Sequence, residues 1–496
     1  MKKIKAGLAL LTAEWFSQIR LDVTADSSSN IISVVQENTR LALETLSAHF
    51  ELVHPKTITT VKDAKEACED YRRENVQLII LSSLIYSGDD TIVEIARSMT
   101  GVPFLVWSFH PDYRLQQINN MARYFRVTGA AGMLQGCSAL KRINIPMRFL
   151  FGAPGSEKLH RELENIAAAC AVRCELKALQ IAAVGRRYEP MSAAWSEEFR
   201  LKTTLGPRIV WISAAEYAAV AAAVPNAEVK AFLMEQTEKY RVVDVPDDAL
   251  EAAARASMAG FYICKKYNCG VLSIQDMDEE LHALLGVRPQ MSYPPIFEAG
   301  IAVGMEQDIN AALCTWMVGQ LTDGEPTMYG EIFTYNEAEN ELIVGHASIH
   351  DLRLAGNHEI QLVQDGEFNH ADRYVGVWNE FICKAGAVTM TALFAGNDGY
   401  HIITCSGTSI ESPKWIPGNV HARVRLNLPL EFFLQKVMCL GVTQHFAVCY
   451  GDIKPRMEEL ARQMNIAYYD IDRIYERGPA CENGCKAGCG CACRCV

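Results

Sequence analysis

Among the carboxylate and imidazole side chains from Glu298 to His346, three stand out as potential ligands of a divalent cation: Glu306, Glu331 and His346. Carboxylates and imidazoles offer oxygen and nitrogen donors to a hard or borderline ion. Each sits at the edge of an element that its neighbours predict. After Glu306, the residues Ile309, Leu313, Trp316, Met317 and Leu321 recur at three- and four-residue steps. That spacing predicts an amphipathic helix of about four turns. Gly304 precedes it, so Glu306 is expected in the first turn, where free N–H groups and the helix dipole favour an ionised carboxylate. A solvated acidic residue that only complements the dipole fits the same spacing.

Glu331 and His346 are expected as a pair. Gly324-Glu325-Pro326 is turn material, Met328 to Tyr335 is rich in β-branched and aromatic residues, and 336–340 is polar. Leu342 to Val344 is again strand-like, so the segment predicts a hairpin. With Tyr335 opposite Leu342, an unbroken ladder sets Glu331 directly opposite His346, with Cβ atoms about 5 Å apart. A one-residue slip would send them to opposite faces. An exposed cross-strand ion pair is the plainer reading of the two.

These residues carry a resemblance. Met305-Glu306-Gln-Asp-Ile-Asn-Ala-Ala-Leu313, then Gly330-Glu331 within a strand, then Val344-Gly345-His346 resembles the metal site of the L-fucose/L-arabinose isomerase superfamily. Gln444-His445-Phe-Ala-Val-Cys-Tyr-Gly-Asp452 is similar to a C-terminal stretch of the same proteins. The resemblance follows element order over most of the chain and is specific at these short motifs. It implies the ligand set Glu306, Glu331, His346 and His445, with Glu306 and Glu331 also carrying protons. Where the family has paired histidines this chain has Gln444 before His445, and Ala347-Ser348 follow His346. The pocket around the ligands therefore departs from the family more than the ligands do.

Two carboxylates and two imidazoles suit Mn²⁺ first, with Co²⁺ or Mg²⁺ as alternatives, and a set without Cys argues against structural zinc. Two adjacent oxygens of an open-chain aldose can fill the remaining positions of an octahedral ion, which then acts as a Lewis acid in an ene-diol reaction. One carboxylate takes the C2 proton, and it or its partner returns one to C1. The expectation is a metal-dependent aldose–ketose isomerase for an L-fucose- or L-arabinose-like sugar. The alternative is a non-catalytic sugar-binding or sensing protein, which needs neither the carboxylates nor a metal.

The rest of the chain must position these groups. Its 496 residues are 49% hydrophobic and 21% charged with a net charge of −12, a globular composition without the basic cluster of a nucleic-acid binder. Lys2, Lys3 and Lys5 precede an apolar run that is too short for a signal peptide, and no apolar run reaches membrane-span length. A cytoplasmic protein is expected. Strands and helices alternate through residues 1–175 and again through 176–326, which predicts two doubly wound, Rossmann-like parallel sheets. From 327 to 478 strand-like runs dominate, which predicts a β-rich, barrel-like domain. The resemblance implies a homo-oligomer, a trimer or hexamer, with the sugar site at a subunit interface.

Further residues are candidates for the sugar. The loop Arg186-Arg187-Tyr188-Glu189-Pro190-Met191 follows a strand's C-terminal end, where open α/β sheets bind ligands, and the resemblance sets a substrate-facing loop there. Gln444 is the corresponding candidate beside His445. The Gln135-Gly136 pair within Gly132–Ser138 is expected at a strand-to-helix junction, where small residues admit a sugar or simply pack helix on sheet. Of 17 cysteines, Cys481, Cys485, Cys489, Cys491, Cys493 and Cys495 crowd the tail, 479–496. Such spacing suits a soft-metal cluster or labile thiols on a flexible tail.

Overall fold

The computed structural model describes residues 3–18, 31–114, 116–118, 120–347, 349–367 and 376–477. The chain divides into two compact units, Met1–Cys174 and Glu175–Val496.

The first unit is built on β1 (Lys5–Leu11), β2 (Glu51–Val53), β3 (Thr57–Ile58), β4 (Leu78–Ser83), β5 (Phe104–Phe109) and β6 (Met147–Gly152). They form a parallel sheet in the order β2-β1-β4-β5-β6, with β3 also paired to β1. The strands are apolar on both faces because both faces are covered. Leu8, Leu10 and Ile80 pack with Ala42, Leu46 and Leu163 of the helices Ile31–Ser47 and Glu157–Leu176. Ala9, Leu81 and Val106 pack with Tyr71, Ile92 and Leu140 of the helices Val61–Arg73, Asp90–Ser98 and Gly129–Arg142. The Gly132–Ser138 stretch lies inside the last of these helices and not at a junction. A Cβ added at Gly136 would collide with the Ile92 side chain, so this glycine lets two helices approach.

The second unit contains β7 (Gln180–Val184), β8 (Arg208–Ile212), β9 (Arg241–Val243), β10 (Val271–Ile274) and β11 (Ala302–Gly304). Next come β12 (Thr327–Asn336), β13 (Glu341–His346), β14 (Gln361–Gln364), β15 (Val377–Glu380), β16 (Gly386–Gly396) and β17 (Gly399–Ile410). The last are β18 (Val420–Leu426), β19 (His445–Tyr450) and β20 (Ala467–Asp470). A parallel sheet runs β11-β10-β7-β8. An antiparallel sheet runs β16-β19-β12-β13-β18-β17 and closes through β16–β17 pairing into a barrel, with β20 parallel on β17. This is the expected α/β class with a C-terminal barrel. A small sheet, β15-β14-β9, ties the β-rich stretch to the chain before it. Among the described residues no helix is long and apolar enough to cross a membrane.

Alternation along β12 sets the architecture of the site. Met328 points into the barrel core with Leu342, Val344, Phe446 and Val448, while Tyr329 joins the α/β core with Val303 and Met305. One strand thus belongs to two cores, because successive side chains leave a strand on opposite faces. The helix Ile309–Leu321 packs between β11 on one side and β16 and β19 on the other. It is therefore buried nearly all round, not on one stripe as its large residues suggested; Ala311, Ala312, Cys314 and Thr315 let the second wall come close.

Candidate metal centre

Glu306 lies two residues past the C-terminal end of β11, before the helix and not in its first turn. The helix begins at Ile309, capped by Asp308, whose side chain accepts the Ala311 N–H at 2.9 Å. Glu306 and Gln307 have φ of 57° and 54°, consecutive left-handed residues that are not glycine. Each costs about 1–2 kcal/mol for an L-residue. Hydrogen bonds on both sides hold them there. The Gln307 N–H donates to the Ile274 carbonyl at 3.1 Å, and its Nε2 donates to Gly185 at 3.0 Å and Val184 at 3.2 Å. The Glu306 N–H donates to Asp276 Oδ1 at 2.9 Å.

The hairpin of β12 and β13 supplies Glu331 and His346 in a register different from the one expected. Tyr335 does face Leu342, but a bulge between Ile332 and Thr334 takes up one residue, Phe333. Glu331 consequently faces Gly345, not His346, on one side and His445 on the other. Gly345 is required at that spot, since an added Cβ would collide with the Val420 carbonyl. His346 ends β13 and His445 begins β19, both buried.

The structure brings Glu306, His346 and His445 together, with one ligating atom from each all within 4.8 Å of one another. His445 Nε2 is 3.2 Å from Glu306 Oε2, and His346 Nε2 is 3.7 Å from Glu306 Oε1. Glu306 Oε2 and both Nε2 atoms are buried without a hydrogen-bond partner. Buried polar atoms are normally hydrogen-bonded, so three that face only one another, with a 3.2 Å His445–Glu306 ion pair among them, fit a cation. The far side of each ring fits it too. His445 Nδ1 pairs with Asp308 Oδ2 at 2.9 Å, and His346 Nδ1 with the Ala347 carbonyl at 3.1 Å. Such partners turn the Nε2 lone pair toward a metal. Glu331 is not within the three-residue group; it stands half-buried on the same sheet face as His445.

Around this group the charges are arranged by burial. For His445, burial disfavours the cationic ring, but Asp308 and Glu306 outweigh that and push it up to about 10. Burial drives His350 down to about 3, so it is a neutral ring whose Nε2 donates to the His346 carbonyl at 3.0 Å. Tyr329 lies under both histidines, 5.2 Å from His346 and 4.8 Å from His445 between ring centroids, and donates to the Met305 carbonyl at 3.1 Å. Burial and the surrounding carboxylates hold its hydroxyl well above the usual range, fully protonated.

The remaining candidates separate. Gln444 and Met191 meet, Nε2 to Sδ at 3.6 Å, which sets the loop after β7 beside His445. Tyr188 is half-buried and its carbonyl accepts from Trp195 Nε1 at 3.0 Å, while Glu189 is exposed in the same turn. Gln135 accepts from the Tyr86 hydroxyl at 2.8 Å in the first unit. The six tail cysteines, Cys481 to Cys495, lie outside the described residues. Sequence reasoning missed Asp276, Asp308 and Tyr329. Asp308 had a legible signal, an Asp immediately before the first apolar-periodic residue of a helix. Asp276 had none, because its partners are distant in sequence.

No protein-family model matches the chain. The chain is 23% identical over 397 residues to the sulfoquinovose isomerase of Alkalicoccus urumqiensis, covering 79% of this chain and 86% of the relative. It is 24% identical over 425 residues to the sulfoquinovose isomerase of Priestia aryabhattai, covering 82% and 89%. A third protein of that name, from a Clostridium species, is 23% identical over 411 residues, covering 79% and 85%. The chain is thus similar, over most of its length and most of theirs, to proteins named as sugar isomerases, in agreement with the enzyme class expected from its motifs, an aldose–ketose isomerase.

Proposed function

We propose that this chain is a divalent-metal-dependent aldose–ketose isomerase, with Mn²⁺ as its ion and Glu306, His346 and His445 as ligands from the buried group. The observation that carries the reading is the convergence of three buried ligating groups that face only one another. Glu331 is the fourth ligand or the proton carrier beside it, since it shares a sheet face with His445. A bound divalent ion supplies Lewis-acid polarisation of two adjacent sugar oxygens. The chain's own groups do the rest. Glu306 and Glu331 are the carboxylates available to take the C2 proton and return one to C1. His445 is held by Asp308 and His346 by a backbone carbonyl, so neither ring needs to reorient. Met191 and Gln444 form a wall for the sugar beside His445.

Sulfoquinovose, the sugar in the relatives' names, is the first candidate substrate, and L-fucose and L-arabinose are the next. A non-catalytic sugar-binding role leaves the buried donor set unexplained. A trimer- or hexamer-based assembly is part of the proposal. The test supplies each aldose with Mn²⁺ and reads ketose formation for the natural chain and for Glu331→Gln. Turnover of one sugar is expected, with a loss of at least about 10²–10⁴-fold in the variant. Equal rates for both chains would remove Glu331 from the mechanism. Sugar binding without ketose formation would favour the binding-protein reading.

A further inference from the structure

We propose that Asp276 is a positioning residue, whose buried carboxylate locks the left-handed backbone that aims Glu306 at His346 and His445. The proposal rests on the reading of Glu306 as a metal ligand. Asp276 follows β10 by two residues, as Glu306 follows the neighbouring parallel strand β11 by two, so the two lie side by side at the strands' C-terminal ends. Oδ1 accepts the Glu306 N–H at 2.9 Å. Oδ2 accepts from Arg288 Nη2 at 2.6 Å and Nε at 3.1 Å, and from Gln290 Nε2 at 2.7 Å. The Asp276 carbonyl accepts from His282 Nε2 at 2.5 Å. Arg288, itself buried, continues to Asp365 at 3.4 Å and Glu367 at 2.9 Å.

Burying an ionised carboxylate is costly unless its lone pairs are matched by charge and hydrogen bonds. Here the charge of Arg288 compensates one oxygen, and the other is spent on a single backbone N–H. That N–H belongs to the first of two residues in a conformation L-side chains avoid. Without the acceptor, Glu306 is free to relax out of the left-handed region, and its carboxylate leaves the two Nε2 atoms. Asp276 is bonded to the Glu306 backbone and acts through it.

The test is calorimetric titration of Mn²⁺ into the full-length wild type, Asp276→Ala and Asp276→Asn, with circular dichroism to establish folding and the absorption spectrum of bound Co²⁺ as a report on the ligand field. Partners that orient metal ligands typically govern about 10–100-fold of affinity. Asp276→Ala is expected to bind Mn²⁺ weaker by that amount with a shifted Co²⁺ spectrum. Asp276→Asn keeps an acceptor oxygen and is expected to lose only several-fold, and saturating Mn²⁺ should restore turnover in both. A merely structural role lowers the melting temperature and leaves the folded protein's Mn²⁺ affinity and Co²⁺ spectrum unchanged. That result in folded Asp276→Ala overturns the proposal; should Asp276→Ala not fold, the same result in Asp276→Asn overturns it. A wild type that binds no Mn²⁺ is a different failure, and removes the metal centre itself.

Discussion

At His445 two effects oppose each other, and their balance is measurable. Burial disfavours the charged ring, while Asp308 and Glu306 favour it, and the carboxylates win, raising the group to about 10. An unfolded histidine titrates near 6.5. A folded value above the unfolded one gives stability that is fully present below about pH 6.5 and is lost as pH rises through about 10. Metal-free protein should therefore lose on the order of a few kcal/mol of unfolding free energy between pH 7 and pH 10 from this site. Urea unfolding at the two pH values should show that slope in the natural chain and a smaller one in His445→Gln. Identical slopes would show that the ring is not held as an imidazolium. A divalent ion competes with the same proton, so added Mn²⁺ should flatten the slope.

The hairpin of β12 and β13 carries Glu331 and His346, and its turn is tied to the barrel. Asn340 has φ of 58°; its Nδ2 donates to the Leu426 and Leu428 carbonyls, each at 3.0 Å, and its Oδ1 accepts the Leu430 N–H at 2.7 Å. Net hydrogen-bond values of about 0.5–1.5 kcal/mol each, plus left-handed strain, put the cost of Asn340→Ala at about 2–4 kcal/mol. Asn340→Gly should recover only the backbone part, about 1 kcal/mol. Denaturation midpoints should rank natural chain, Gly, then Ala, and an Ala variant as stable as the natural chain would dismiss the turn's role. Farther along the same hairpin, the bulge at Phe333 decides which face each residue joins, and so which histidine Glu331 meets.

For the molecule as a whole, the cysteines distinguish core from surface. Burial pushes the thiols of Cys68 and Cys269 up to about 11 and those of Cys383 and Cys449 up to about 12. Cys439, on the helix Leu430–Leu440, is exposed. Among the described cysteines, alkylation at pH 8 followed by mass spectrometry should label Cys439 first and leave the four buried thiols unmodified until the protein unfolds. A chain ending at residue 480 is expected to give the same order of labelling at these cysteines and the same unfolding midpoint, because the sequence of 481–496 carries no apolar periodicity. Early labelling of Cys383 would mean that the barrel core opens in the native state.

The sequence by itself determined the class of fold and singled out three residues that the structure brings together. Apolar strands alternating with helices are a local signal, and so are β-branched runs between polar turns; both survive into the α/β sheets and the barrel. Glu306, His346 and His445 were legible because short motifs around them resemble a known metal site. Tertiary structure decided the rest. The bulge at Phe333 moved Glu331 by one place, and no turn rule counts residues inside a strand. The helix begins at Ile309, where its periodicity does, and Glu306 stays outside it, because Glu306 and Gln307 are held left-handed by Asp276, Ile274 and Gly185, which are remote in sequence. That helix is also buried on every side, since whether a small residue faces water or a second sheet depends on what packs there. Donor types and spacing are written in the chain, but the aim of each donor depends on contacts that exist only once distant segments meet.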